Sequence, residues 1–234
     1  MSHLDLPKRG RLYLGVAETL AARIEAGEYP AGHRMPPERD LAQTLDVSRA
    51  VLREALLALE IMRYVEIRLG SGVYVLPKHQ RVRTHGALVT LEEVGPYEVL
   101  EVRRAIEGLS AYQAAERANS DQLDELTRVL DRMAERLDDV PMFDLADEEF
   151  HMLIARATGN SLIEEYVAHL WRMRRNALWD RWYDQTRHIS NRRRSVEDHR
   201  QILHAIRRRR PDVAQTAMQL HIDVLVDRFL SLDL

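Results

Sequence analysis

Four residues in the second half of the chain have the types and spacing of a metal site. Asp147 and His151 stand four apart, so on one helix both project from the same face. His199 follows within Glu197-Asp198-His199-Arg200, and His221 lies close to the C-terminus. One carboxylate and three imidazoles suit a divalent ion such as Zn²⁺, Ni²⁺ or Mn²⁺, with positions left for water or a ligand oxygen. The chain holds ten histidines, so the competing reading is three unrelated core or surface side chains.

A second chemistry sits near the N-terminus. Arg49 and Arg53 are four apart on one predicted helix, and Arg39 on the preceding helix reaches the same side. Arginine pairs with phosphate and donates two bonds to guanine O6 and N7. Arg34, Arg68 and the Gly70-Ser71-Gly72 turn flank this group, placed to touch backbone or minor groove. A solvated helix face is the plainer alternative for each arginine alone.

The surrounding elements supply the frame. Tyr13, Val16, Leu20 and Ile24 recur at helical spacing, and Gly27 closes that helix. Pro37 opens a second helix, with Glu38 and Asp40 favourable near its positive end. Ser48 is the N-cap of a third, predicted over 49–60. Residues 64–68 and 73–76 read as strands around the glycine turn. Three helices followed by a hairpin form a winged helix-turn-helix. Beyond Pro96, glycine and proline become rare, and helices are predicted over 96–117, 120–138, 142–158, 161–183, 190–209 and 211–231. The fold class is therefore mainly α. A DNA-binding domain over 1–77 and a polar, basic linker over 78–88 precede an all-helical antiparallel bundle over 89–234.

Composition excludes several function classes. The 234 residues are 45% hydrophobic and 30% charged, as in an ordinary globular chain. With no cysteine, disulfides, thiolate metal sites and thiol nucleophiles are out. No apolar run spans a bilayer and the first eleven residues lack the apolar core of a secretion signal, which predicts a cytoplasmic protein. The net charge of −3 neither announces nor opposes nucleic acid, because a DNA footprint is local.

The stretch "RIEAGEYPAGHRMPPERDLAQTLDVSRAVLREALLALEIMRYVEIRLGSGVYV" resembles the DNA-binding domain of the GntR family of bacterial transcription regulators. That resemblance implies operator contacts from Arg39, Arg49 and Arg53, and a wing tip, Gly70-Ser71-Gly72, near the minor groove. With Arg34, Ser48 and Arg68 these complete the candidate DNA-binding set. One departure is Met62-Arg63-Tyr64, where the family usually carries a glycine. Either the turn is built differently or Arg63 takes a positive φ.

The segments "VLEVRRAIEGLSAYQAA", "DEEFHMLIARATGNSLIEEY" and "VEDHRQILHAIRRRRPDVAQTAMQLHI" are similar to the FCD effector domain of the FadR subfamily. The similarity implies that Asp147, His151, His199 and His221 are the metal ligands. It also implies a small-carboxylate effector and homodimeric binding to double-stranded operator DNA. Arg103, Asn160, Arg172 and Trp179 are the candidate effector contacts. An i,i+4 ion pair with Glu107 is the other reading of Arg103, and a helix cap that of Asn160. Within the subfamily the chain resembles the hexuronate-utilisation regulators, so a sugar acid is the expected effector and Trp171, Trp179, Trp182 or Tyr183 its aromatic platform. The expectation is a repressor and not an enzyme. Two alternatives stand beside it, a metal-dependent enzyme acting on a small carboxylate and the same regulator with a purely structural metal.

Overall fold

The computed structural model describes residues 12–80 and 94–231. Of the expected linker, only 78–80 fall within them, as a single 3₁₀ turn, Lys78–Gln80. The chain divides into two compact units. The first holds the described residues through Glu98 together with Asn176–Tyr183 and the segment from Arg228. The second holds Val99–Arg175 and Asp184–Asp227.

The first unit opens with α1 (Leu12–Glu25), α2 (Glu38–Thr44) and α3 (Arg49–Ile61). The hairpin β1 (Val65–Arg68) and β2 (Gly72–Val75) follows, antiparallel, with Val65 opposite Val75 and Arg68 opposite Gly72. Leu20 and Ile24 of α1 are buried with Leu52, Leu56 and Leu59 of α3, so the predicted apolar faces form this unit's core. The Ser48 side chain accepts from the Val51 amide, the cap expected of it. Arg63 has φ 62°, so the missing glycine is met by a left-handed arginine. At the wing, Gly72 has φ 112°, a backbone conformation that strains residues with a side chain and favours glycine.

The second unit is helical: α4 (Pro96–Arg117), α5 (Ser120–Glu135), α6 (Val140–Ala157), α7 (Ser161–Arg172), α9 (Ile189–Arg207) and α10 (Pro211–Leu230). A short α8 (Ala177–Thr186) lies between α7 and α9 and begins in the first unit. Phe150, Ile154, Val167, Ile202 and Ile206 belong to the core. Gly108 lets α4 pass close to α10, since a Cβ there would stand 3.0 Å from the Gln219 side chain. The helix expected over 161–183 is broken. Met173 ends α7, and the buried Asn176 side chain accepts from the Trp179 amide to start α8. No glycine or proline marks this break in the sequence.

Candidate functional site

The second unit brings Asp147, His151, His199 and His221 together. Each offers one ligand atom, and these atoms lie within 4.8 Å of one another. α6 supplies the first pair, α9 and α10 the other two. The imidazoles are buried, His199 completely. His151 Nε2 and His199 Nε2 are 3.0 Å apart, and Asp147 Oδ1 lies 3.5 Å from His199 Nε2. Two nitrogens each about 2.1 Å from one ion stand about 3.0 Å apart at a right angle and about 3.4 Å apart at the tetrahedral angle. The observed spacing fits a shared divalent ion, and the donor set suits one.

Two carboxylates orient this set from behind. His151 turns Nδ1 to Glu107 of α4. His221 Nδ1 lies 3.5 Å from Asp198 Oδ2. A carboxylate behind an imidazole fixes its tautomer and strengthens it as a donor to metal. Burial penalises both carboxylates, yet the hydrogen bonds and charges around them win. Arg103 and His151 hold Glu107 well below the usual carboxylate range. His221 and Arg194 lower Asp198. Burial, together with neighbouring imidazoles, pushes His199 and His221 below the usual histidine value. They are therefore neutral at pH 7, the form that binds metal.

Beside the imidazoles is an arginine-rich wall. Arg103 is 1% exposed and bonds Glu107 through Nε at 2.6 Å, while its Nη1 has no hydrogen-bond partner among the described residues. Its guanidinium lies 4.3 Å from the Trp171 ring centre, and that of Arg174 lies 3.9 Å from it. The Trp171 ring is 5.1 Å from His151, and Arg174 Nη1 is 3.7 Å from Asp147 Oδ2. Two cations and an indole edge whose Nε1 also lacks a partner suit a polar anion.

Some expected contacts lie elsewhere. Asn160 caps α7, accepting from the Leu162 amide. Arg172 is exposed and lines a surface cavity with Leu162, Tyr166 and His169. Trp179 packs edge-on against Trp182 in the first unit, whereas the cluster belongs to the second. Of the candidate aromatic residues, Trp171 near the end of α7 is the one beside the cluster, and Arg174, just past that helix, lies over its ring while Arg172 is exposed.

In the first unit the candidate DNA-binding set is mostly open. Arg34, Arg39, Ser48, Arg49, Arg68, Gly70 and Ser71 are exposed, and Gly72, the last residue of the wing turn, is buried. Arg68 bonds Glu66 and lies over the Tyr74 ring. Arg53 departs from the expectation. It is 3% exposed, pairs with Glu38 through Nη2 at 2.6 Å and donates from Nη1 to the Phe229 carbonyl at 2.7 Å.

Comparison with known proteins then bears on this geometry. Residues 12–75 match the family model described as bacterial regulatory proteins, gntR family, and residues 98–224 match the FCD domain. Over 227 residues the chain is 34% identical to the Exu regulon transcriptional regulator of Escherichia coli (strain K12), spanning 94% of this chain and 85% of that protein. It is 32% identical over 214 residues to the Uxu operon regulator of Haemophilus influenzae, spanning 91% and 80%. The solved structure of E. coli McbR/YncC aligns with a TM-score of 0.51 at 18% identity, over 93% of this chain and 96% of that one, a likeness of fold alone. Among the described residues no helix is long and apolar enough to cross a membrane.

Proposed function

Because the chain belongs to the gntR family of bacterial regulatory proteins, carries an FCD domain and is thus a DNA-binding transcriptional regulator, we propose that it is a repressor whose hold on its operator answers to a sugar acid bound beside a divalent metal. The single observation that carries this reading is the convergence of three buried imidazoles and Asp147 beside a buried guanidinium with an unused donor. Asp147, His151, His199 and His221 hold the ion. When bound, the ion supplies a Lewis-acidic centre that attracts a carboxylate and its neighbouring hydroxyl.

The chain's own residues do the rest. Glu107 and Asp198 hold two of the imidazoles in register. Arg103 and Arg174 present cationic edges to the ligand, and Trp171 gives an apolar face for one side of a sugar ring. Names of relatives such as the Exu and Uxu regulators favour a hexuronate among sugar acids. On the DNA side, Arg39, Arg49 and the wing read one half-site, and two copies of the chain read a two-fold operator.

Thermal denaturation tests this. Protein is treated with Zn²⁺, Ni²⁺ or Mn²⁺, each with and without D-glucuronate or D-galacturonate. Metal raises the midpoint, and uronate raises it further only after metal. A ligand at a hundred times its dissociation constant adds about 2.7 kcal/mol. A metal response with no uronate response sinks the effector and leaves the metal. No metal response sinks both.

A further inference from the structure

The recognition helix of a helix-turn-helix needs one open face to enter a major groove. Here α3 has little. Nine of its thirteen residues are buried, from Ala50 through Leu59 with Val51 alone partly covered, and Arg53 is among them. One side is the core shared with α1. On the other, three later segments of the chain, all within the first unit, attach to α3.

At its start, Arg53 donates to the Phe229 carbonyl at 2.7 Å and Arg49 to the Leu230 carbonyl at 3.4 Å. Near its middle, Glu54 accepts from the Tyr97 amide at 3.0 Å. At its end, Glu60 takes two bonds from Arg181, at 2.6 and 2.7 Å. Phe229 anchors the first of these. It is fully buried, its ring 5.7 Å from Trp182 and 6.3 Å from Tyr97.

We propose that the last turn of α10 is a clasp on the recognition helix, in which the carbonyls of Phe229 and Leu230 occupy the arginines that operator DNA must use. The last carbonyls of a helix have no partner within it and carry the negative end of its dipole. To a guanidinium they present what DNA presents, oxygen acceptors in a field of negative potential. Arg53 cannot serve both, so DNA binding and the clasp exclude each other. The clasp rests on the reading of α3 as the DNA-facing helix. It deepens that reading with a regulatory route, because Phe229 follows the metal-site residue His221 by eight positions on the same helix. A ligand that shifts α10 moves the clasp.

Hydrogen exchange on the unmodified full chain tests it, with and without a duplex selected in vitro by the full-length protein. The expected result is that amides of α3 gain protection while those of 226–231 exchange at least tenfold faster. Protection of α3 with no change at 226–231 overturns the clasp and keeps the DNA reading. No protection at α3 overturns both. Phe229→Ala, which unseats the last turn but leaves its carbonyls, is expected to bind the same duplex at least fivefold tighter. Equal or weaker binding by a folded Phe229→Ala protein counts against the clasp.

Discussion

Each unit buries an arginine against a glutamate, and the two pairs are not alike. In the first unit Glu38 bonds Arg53 through both oxygens and also accepts from Arg49 at 2.8 Å, and a helix-end carbonyl completes the Arg53 shell. In the second unit Glu107 bonds Arg103 and faces His151, yet Arg103 keeps an unused donor. Buried polar groups in folded proteins are nearly all satisfied, so a leftover donor marks where something else belongs. The first arrangement is closed by the chain itself and behaves as a latch. The second leaves a donor of Arg103 over, which under the proposed function an effector would take.

Removing the carboxylate from each pair separates the two cases most sharply. Glu107→Ala strands Arg103 in the interior beside imidazoles, and breaking a buried pair in this way costs roughly 3–5 kcal/mol. It also withdraws the partner that orients His151, so metal affinity falls by about 10–100-fold. Glu38→Ala is milder, because Arg53 keeps the Phe229 carbonyl. Urea unfolding and calorimetric metal titration of the two variants check the ranking. Equal destabilisation, with metal binding intact in both, removes the distinction drawn here.

A buried carboxyl in the first unit gives a pH signature opposite in sign to that of Glu107 and Asp198 in the second. Glu54 is pushed up to about 8, chiefly by burial and further by Glu98, against the opposing bond from the Tyr97 amide. The folded state thus favours the neutral carboxyl over the unfolded chain, whose glutamate titrates near 4.5. This contribution is fully present below the unfolded value and is lost as pH rises through about 8. Between pH 5 and 8 it amounts to on the order of 4 kcal/mol. Urea midpoints measured across that window should fall for the native protein and stay flatter for Glu54→Gln. Parallel slopes would mean that Glu54 is charged in the fold.

The two units also differ in how openly the sequence displays them. In the first, local signals dominate. Ser48 caps, the glycine turn makes the wing, and even Arg63 in a left-handed conformation follows from a missing glycine. In the second, the four cluster residues are legible by type and by one i,i+4 spacing. Their supports are not, because Glu107 and Asp198 look like ordinary members of helical ion pairs until four helices converge. Beside the cluster, the sequence hides a single unmarked break. The helix expected over 161–183 stops at Met173 and restarts at Asn176, an internal cap with no glycine or proline beside it, which leaves Arg172 exposed and sets Arg174 by Asp147. The bond that buries Arg53 is illegible for another reason, since its partner lies 176 positions away and no local pattern encodes it.

The smallest expected effect probes whether local signals in the first unit carry energy of their own. Ser48 closes the N-terminus of α3 with one side-chain bond at 3.3 Å to the Val51 amide. Losing such a cap costs about 1 kcal/mol. Ser48→Ala should therefore lower unfolding stability by that amount, and Ser48→Gly by less, with metal affinity unchanged because the cluster belongs to the other unit. The same variant bears on the clasp. If α3 is gripped at its start by the end of α10, a missing cap is partly masked in the free protein and more fully felt once DNA has opened the grip. The loss of affinity for the selected duplex would then exceed what the loss of stability accounts for. An effect on stability alone would show a cap that works independently of the contacts beside it.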